Sequence, residues 1–171
     1  MSWWRRKLNV TIVPLNPPNA MQALFLARFN NESAQQNVVS ELDDKLLQRL
    51  LSEAIYANQV EGSSSFGVLT KLPQGSGHYH TSGVWLDRLV VDAKSRRRGV
   101  GSALLSDLCA KAVDLGYTQI ACRIRFVGKE GIAFLKAKGF EEVGKSEVRG
   151  GYGGIYYTFA KNIGNAPNRS S

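Results

Sequence analysis

Residues 89–105 read Leu-Val-Val-Asp-Ala-Lys-Ser-Arg-Arg-Arg-Gly-Val-Gly-Ser-Ala-Leu-Leu. An apolar strand, a basic glycine loop and the first turn of a helix follow one another, the order in which a chain cradles phosphate groups on backbone N–H donors. A helix N-terminus leaves its first amides without intrahelical partners and carries partial positive charge, so a diphosphate set there accepts several hydrogen bonds at once. Gly99 and Gly101 let the backbone come close, because a Cβ would stand where phosphate oxygens must sit. Lys94, Arg96, Arg97 and Arg98 add attraction, and Ser102 adds a hydroxyl. The ligand is expected to be anionic.

Two other phosphate patterns fit less well. A dinucleotide fingerprint needs a third glycine, but Leu104 stands in its place, and no acid closes the next expected strand at Phe126-Val127-Gly128. Gly139-Phe140-Glu141-Glu142-Val143-Gly144-Lys145-Ser146 satisfies the P-loop pattern G-x-x-x-x-G-K-S letter by letter. Its context is wrong, since a helical stretch precedes it and the glycine-rich run 149–154 follows too soon for a helix. Glu141 and Glu142 would also place two carboxylates inside a phosphate cradle.

The loop Arg96-x-x-Gly99-x-Gly101 resembles the R/Q-x-x-G-x-G/A motif of the GNAT superfamily of acetyl-CoA-dependent N-acetyltransferases. Downstream, Ile132-Ala133-Phe134-Leu135-Lys136-Ala137-Lys138-Gly139-Phe140 is similar to that family's A-I-x-F-Y-E-K-L-G-F segment. The likeness runs from Val84 to Val143, and upstream of Val84 it rests on the order of elements. It implies that Arg96, Arg97, Arg98, Gly99, Val100, Gly101 and Ser102 hold the pyrophosphate of coenzyme A, with Leu89, Val90, Val91 and Phe134 also against the cofactor. It further implies that the fourth and fifth strands splay, so that the pantetheine arm lies between them.

The elements that must position these residues are legible from periodicity. Leu8 to Val13 alternates as a strand stopped by Pro14, and Pro17-Pro18 opens a helix over Asn19 to Phe29. Helical spacing returns at Val39, Leu42, Leu46, Leu47, Leu50 and Leu51, with Ser40 as cap. Ala54 to Glu61 fits either the end of that helix or a strand, and the turn 62–65 before Phe66 to Leu72 favours a hairpin. A strand over Val84 to Val91, a helix over Gly99 to Leu115 stopped by Gly116, and a strand over Thr118 to Phe126 follow. Lys129 to Lys138 is a short helix closed by Gly139, and Phe140 to Val148 with Ile155 to Lys161 makes a last hairpin. The expected fold is α/β: a GNAT-like mixed, mostly antiparallel sheet of six to seven strands flanked by about four helices. One domain is expected over 1–161, with a polar, frayed tail over 162–171.

Composition sets the partners. Lys and Arg outnumber Asp and Glu by 14 to 6 in residues 93–171 but only by 6 to 5 in 1–60, and fall short by 2 to 3 in 61–92. The basic excess thus lies in the cofactor half, where coenzyme A brings roughly three to four negative charges. What remains favours an acidic acceptor or nucleic acid such as a charged tRNA, and disfavours a cationic aminoglycoside or polyamine. No run of about 18 apolar residues suits a membrane span, and no apolar signal segment follows the start. Cys109 and Cys122 read as two buried free thiols in a reducing cytoplasm. His78 and His80 lack further ligands nearby, so no metal is expected. A homodimer stays open.

Acetyl transfer needs a base for the amine, a donor for the thioester oxygen and a donor for the departing thiolate. The resemblance puts the oxyanion donor at a backbone N–H near Val90 or Val91, where the family has a bulge. It makes Asp87 the candidate general base, four residues before Val91, against the alternative of a carboxylate paired with a nearby arginine. Where many members carry the thiol-donating tyrosine, four residues before the Gly-Phe pair, this chain has Leu135. Tyr152, Tyr156, Tyr157 or a water must then supply the proton. That departure keeps a non-catalytic acyl-CoA-binding module open. On the fifth strand Arg123 and Arg125 share the face opposite Ile120, Cys122 and Ile124. They can hold a carboxylate of the acceptor or pair within the protein.

Overall fold

In a computed structural model, the described residues are 10–15, 53–63, 65–71, 83–91, 98–125, 129–148 and 154–164. Seven strands form one sheet in the order β1-β2-β3-β4-β5-β7-β6. They are β1 (Ile12–Pro14), β2 (Ala54–Val60), β3 (Phe66–Lys71), β4 (Val84–Val90), β5 (Gln119–Arg125), β6 (Glu141–Val148) and β7 (Gly154–Asn162). Pairing is antiparallel in β1–β2, β2–β3, β5–β7 and β6–β7, and parallel in β4–β5. Helix α1 (Val100–Asp114) links the parallel pair, and α2 (Lys129–Ala137) follows β5. The two helices expected at Asn19 to Phe29 and around Val39 to Leu51 lie outside the described residues.

The mixed α/β expectation is met, and strand and helix limits fall within about two residues of their sequence assignments wherever both ends are described. Pro14 is the exception, being the last residue of β1 instead of its stop. β1 is an edge strand, where a missing N–H removes no ladder bond. The ambiguous stretch from Ala54 is a strand, with one irregularity between Ala54 and Tyr56. Both helices end alike: Tyr117 N–H donates to Ala112 O and Gly116 N–H to Val113 O, as Phe140 N–H donates to Leu135 O and Gly139 N–H to Lys136 O. Gly116 and Gly139 take φ of 91° and 88°, the left-handed step this ending uses. Of the residues expected to form a polar tail, Asn162 closes β7 and the amides of Ile163 and Gly164 donate to Thr118 O, while 165–171 lie outside the described residues.

Contacts gather into two compact units, Met1–Thr70 with Arg88–Leu108, and Lys71–Asp87 with Cys109–Ser171. In the first, Val60, Val100 and Leu104 form a core against which Val10, Ile12, Leu89 and Val91 pack. β3 is buried from Phe66 to Thr70, so alternation gives way to a continuous apolar run with Gly67 beneath Leu108. In the second unit Trp85, Ala121 and Ala160 form a cluster on one face of the sheet, and Gly131 of α2 lies close against Ile124 on the other. No helix among the described residues is long and apolar enough to cross a membrane.

Candidate functional site

β4 delivers the chain to the expected phosphate cradle. Leu89 and Val91 are half-buried against the Val60–Val100–Leu104 core, which fixes the strand end. Arg96 and Arg97, with Asp92 and Lys94, lie outside the described residues. Beyond them Arg98 and Gly99 are exposed, Val100 is buried, and Gly101 and Ser102 are half-buried in the first turn of α1. Gly99 O accepts the first helical hydrogen bond, from Ala103 N–H at 3.0 Å. The amides of Val100, Gly101 and Ser102 therefore precede the i→i−4 ladder and point out of the helix end. Gly99 adopts φ 82°, which an L side chain resists, while a Cβ there would meet nothing within 4 Å. The glycine thus serves the turn, and no described residue crowds it. No acid occupies the first turn of α1, so nothing there offsets the partial positive charge.

Asp87 is half-buried on β4 between buried Leu86 and exposed Arg88. The parallel ladder joins Val84 to Ile120 and Trp85 to Ala121, and both strands run on past it, to Val90 and Arg125. On β5, Arg123 stands opposite Thr158 and Arg125 opposite Tyr156 of β7. The Arg123 guanidinium carbon lies 4.6 Å from the centre of the Tyr156 ring. Two candidates drawn from distant parts of the sequence, one for the acceptor and one for the thiol, are therefore neighbours. Tyr152 is outside the described residues. Tyr157 points to the other face, edge-on to Phe159 at 6.5 Å between ring centres.

On α2, Phe134 is half-buried with the Lys138 ammonium 5.9 Å from its ring centre. Leu135 is buried, which accounts for an apolar residue where a tyrosine is usual. The P-loop match falls on a strand: Gly144, Lys145 and Ser146 lie inside β6, each opposite a residue of β7. An extended ladder cannot wrap a phosphate.

A polar cluster joins β2 to α1. Asn58 is fully buried, and its Nδ2 donates to Leu104 O at 3.1 Å and to Asp107 Oδ2 at 2.8 Å. Tyr56 Oη donates to the same Asp107 oxygen at 2.6 Å. Burial first, then the Asp107 hydrogen bond and charge, push the Tyr56 hydroxyl well above its ordinary pKa. These three residues tie the middle of α1 to β2. The hint in the sequence is the polar pair Asn58 and Gln59 within β2. A groove of about 380 Å³ also opens between α2, β6 and β7, lined by Lys129, Lys136, Glu142, Tyr157 and Phe159 among others.

Residues 64–140, which hold β3 through α2, match the acetyltransferase (GNAT) family. No curated protein matches the chain. Among solved structures it is similar to Ard1 from Thermoplasma volcanium, with 21% identity, TM-score 0.68, and 91% of this chain and 99% of that chain covered. The ribosomal-protein-S18-alanine N-acetyltransferase from Escherichia coli aligns with 18% identity and TM-score 0.66, covering 95% of this chain and 99% of its own. A GNAT family acetyltransferase from Elizabethkingia anophelis with acetyl-CoA bound aligns with 13% identity and TM-score 0.64, over 91% of this chain and 99% of that one. At such identities the likeness is one of fold. The family's own pattern lies on the segment that builds the glycine turn and both helices, and it is over residues 64–140 that the chain is similar to the acetyltransferase (GNAT) family.

Proposed function

We propose that this chain is an acetyl-CoA-dependent N-acetyltransferase that moves an acetyl group to a primary amine by direct attack in a ternary complex. The observation that carries the reading is the open, acid-free N-terminus of α1 behind the Gly99 turn. The similar Elizabethkingia anophelis protein, with acetyl-CoA bound, supports the choice of anion. The amides of Val100, Gly101 and Ser102 would donate to the pyrophosphate oxygens, with Arg96, Arg97 and Arg98 neutralising its charge. Bound there, acetyl-CoA supplies an activated acetyl carbonyl with a thiolate leaving group.

The protein's part is to place donors and a base. A backbone N–H at Val90 or Val91 meets the negative charge that gathers on the thioester oxygen. Asp87 takes the proton released as the amine nitrogen bonds to the acetyl carbon and the carbon–sulfur bond breaks. With Leu135 buried at the tyrosine position, the sulfur's proton comes from Tyr152, Tyr156 or solvent. The name of the Escherichia coli protein, which acts on a ribosomal-protein alanine, makes a peptide α-amine a reasonable acceptor beside small amines and charged tRNA. Leu135 also favours a second reading, a non-catalytic acyl-CoA-binding module.

Thiol release from acetyl-CoA across an amine panel, run beside thermal melting, separates the two. Ligand at about one hundred times its Kd is expected to add roughly 2.7 kcal/mol of stability, and Gly101→Glu to remove most of that gain. Asp87→Asn is expected to leave the melting shift intact and lower turnover by about 10²- to 10⁴-fold, less at high pH where more amine is already neutral. A melting shift with no thiol release from any amine would leave the binding module as the better reading.

A further inference from the structure

Between α2 and the hairpin of β6 and β7 lies a groove of about 380 Å³ that the proposed acetyl transfer does not use. Its floor is apolar: Phe159 is buried, Tyr157 and Ile132 are half-buried, and Ala133 is exposed beside them. Phe159 and Tyr157 are two apart on β7 and share the face turned to α2. The two rims carry opposite charges. On the helix side Lys129 and Lys136 are two turns apart, about 10.5 Å along the axis, with Ile132 and Ala133 between them. On the strand side Glu142 stands opposite Phe159 in the ladder, on the floor's own face. Lys136 closes α2 and Glu142 opens β6 on either side of one short turn, so this acid and this ammonium belong to the same end of the groove. All three charged residues are exposed, and among the described residues no ion pair joins Glu142 to either lysine. An exposed ion pair is worth little, so charges left apart here cost little and remain available to a ligand.

We infer that this groove is a binding site for an α-amino acid with a large apolar side chain. The ligand's ammonium meets Glu142, its carboxylate meets Lys136, and its side chain covers Ile132, Ala133 and Tyr157 in the direction of Lys129. A partner that carried acids alone would be repelled by Glu142, and one that carried amines alone by the two lysines. The volume is at the low end for small-molecule sites and suits one such molecule. None of the charged residues here has a part in the proposed cofactor site or in the transfer, so the inference stands whether or not the chain moves acetyl groups. Because the charged contacts are exposed, the expected Kd is about 1 mM.

The test is an NMR titration of the isotope-labelled full chain with L-phenylalanine, without coenzyme A so that no transfer can occur. Saturable shifts are expected at the amides of 129–136, 142 and 157–159. L-alanine, which lacks the apolar body, should bind at least about tenfold more weakly. L-phenylalaninamide lacks the carboxylate and N-acetyl-L-phenylalanine lacks the ammonium, and each should bind about two- to fivefold more weakly than the amino acid. Lys136→Gln should erase the difference between phenylalanine and its amide while keeping the difference from the N-acetyl derivative, and Glu142→Gln should do the reverse. Lys129→Gln, at the far end, should keep both differences. Ala133→Trp, at an exposed position, should fill the groove and abolish the shifts while melting as the unaltered protein does. Shifts that do not saturate up to the solubility limit, shifts that gather at Asp87 and Arg123 instead, or equal affinity for the amino acid and either derivative overturn the site.

Discussion

Along α1, Val100, Leu104, Leu105, Leu108 and Ala112 are all buried, whereas along α2 Leu135 alone is. α1 is also clamped by polar groups, since Asp107 accepts from Tyr56 and Asn58. α2 has instead one close backbone approach, Gly131 against Ile124, and an open groove on its flank. Apolar packing holds a helix down but leaves it some freedom to slide, because it is not directional; hydrogen bonds to a fixed strand set its position along the axis. A helix whose first amides must meet a phosphate needs that second kind of hold. A helix that covers a face needs only the first.

Truncations give the largest test of this contrast. Leu104→Ala empties a fully buried site and should cost about 3–5 kcal/mol. Leu135→Ala, on the loosely held helix, should fall near the lower end of the range, about 2 kcal/mol. Urea unfolding curves measure both, and equal losses would erase the distinction between the helices.

A smaller effect is expected at the clamp. Asp107→Ala deprives the buried Asn58 amide of one partner and should cost about 1–3 kcal/mol. It should also weaken acetyl-CoA binding measured by calorimetry, because the helix end is no longer held in place. Lys136→Ala, exposed on α2, should leave that affinity as it was. If Asp107→Ala destabilises the fold with no change in affinity, the clamp supports the core and not the helix position.

The smallest effect separates the regions by pH. Burial pushes the Cys122 thiol from its ordinary 9 up to about 12. The folded chain therefore holds this proton more tightly than the unfolded one, so the stabilisation is whole below pH 9 and is lost between about 9 and 12. Tyr56, also raised, contributes its loss only above its ordinary value of 10. Melting scans should then show Cys122→Ala flattening the decline between pH 9 and 10, worth about 1 kcal/mol, and Tyr56→Phe acting only at higher pH. Burial also raises the Cys109 thiol, so part of the decline is expected to persist in Cys122→Ala, and only a decline below pH 10 that survives in the double Cys109→Ala, Cys122→Ala variant would point to another group.

What could be read in the sequence was local. Gly116 and Gly139 mark helix ends because the left-handed step excludes most side chains, and Gly99 marks the turn into α1 for the same reason. What escaped it depends on contacts across the fold. Asp107 meets Asn58 and Tyr56 from 49 and 51 residues away, and no spacing rule links them. In the sequence Arg123 reads as a charge on a central strand and Tyr156 as a candidate thiol donor, two separate tasks. The register of β5 against β7 is what joins them. Leu135 departs from the tyrosine of the resembled pattern, and only the fold shows that its side chain is buried.

The two rims of the sheet share a property. At one rim, β1 is three residues long and ends in a proline that offers no N–H; at the other, β6 carries Glu141, Glu142, Lys145 and Glu147 and is kinked between Glu142 and Gly144. Short length, proline, charge and a bulge each spoil a strand as a template for another strand. Among the described residues, both edges of the sheet are therefore poor templates for pairing with a further strand.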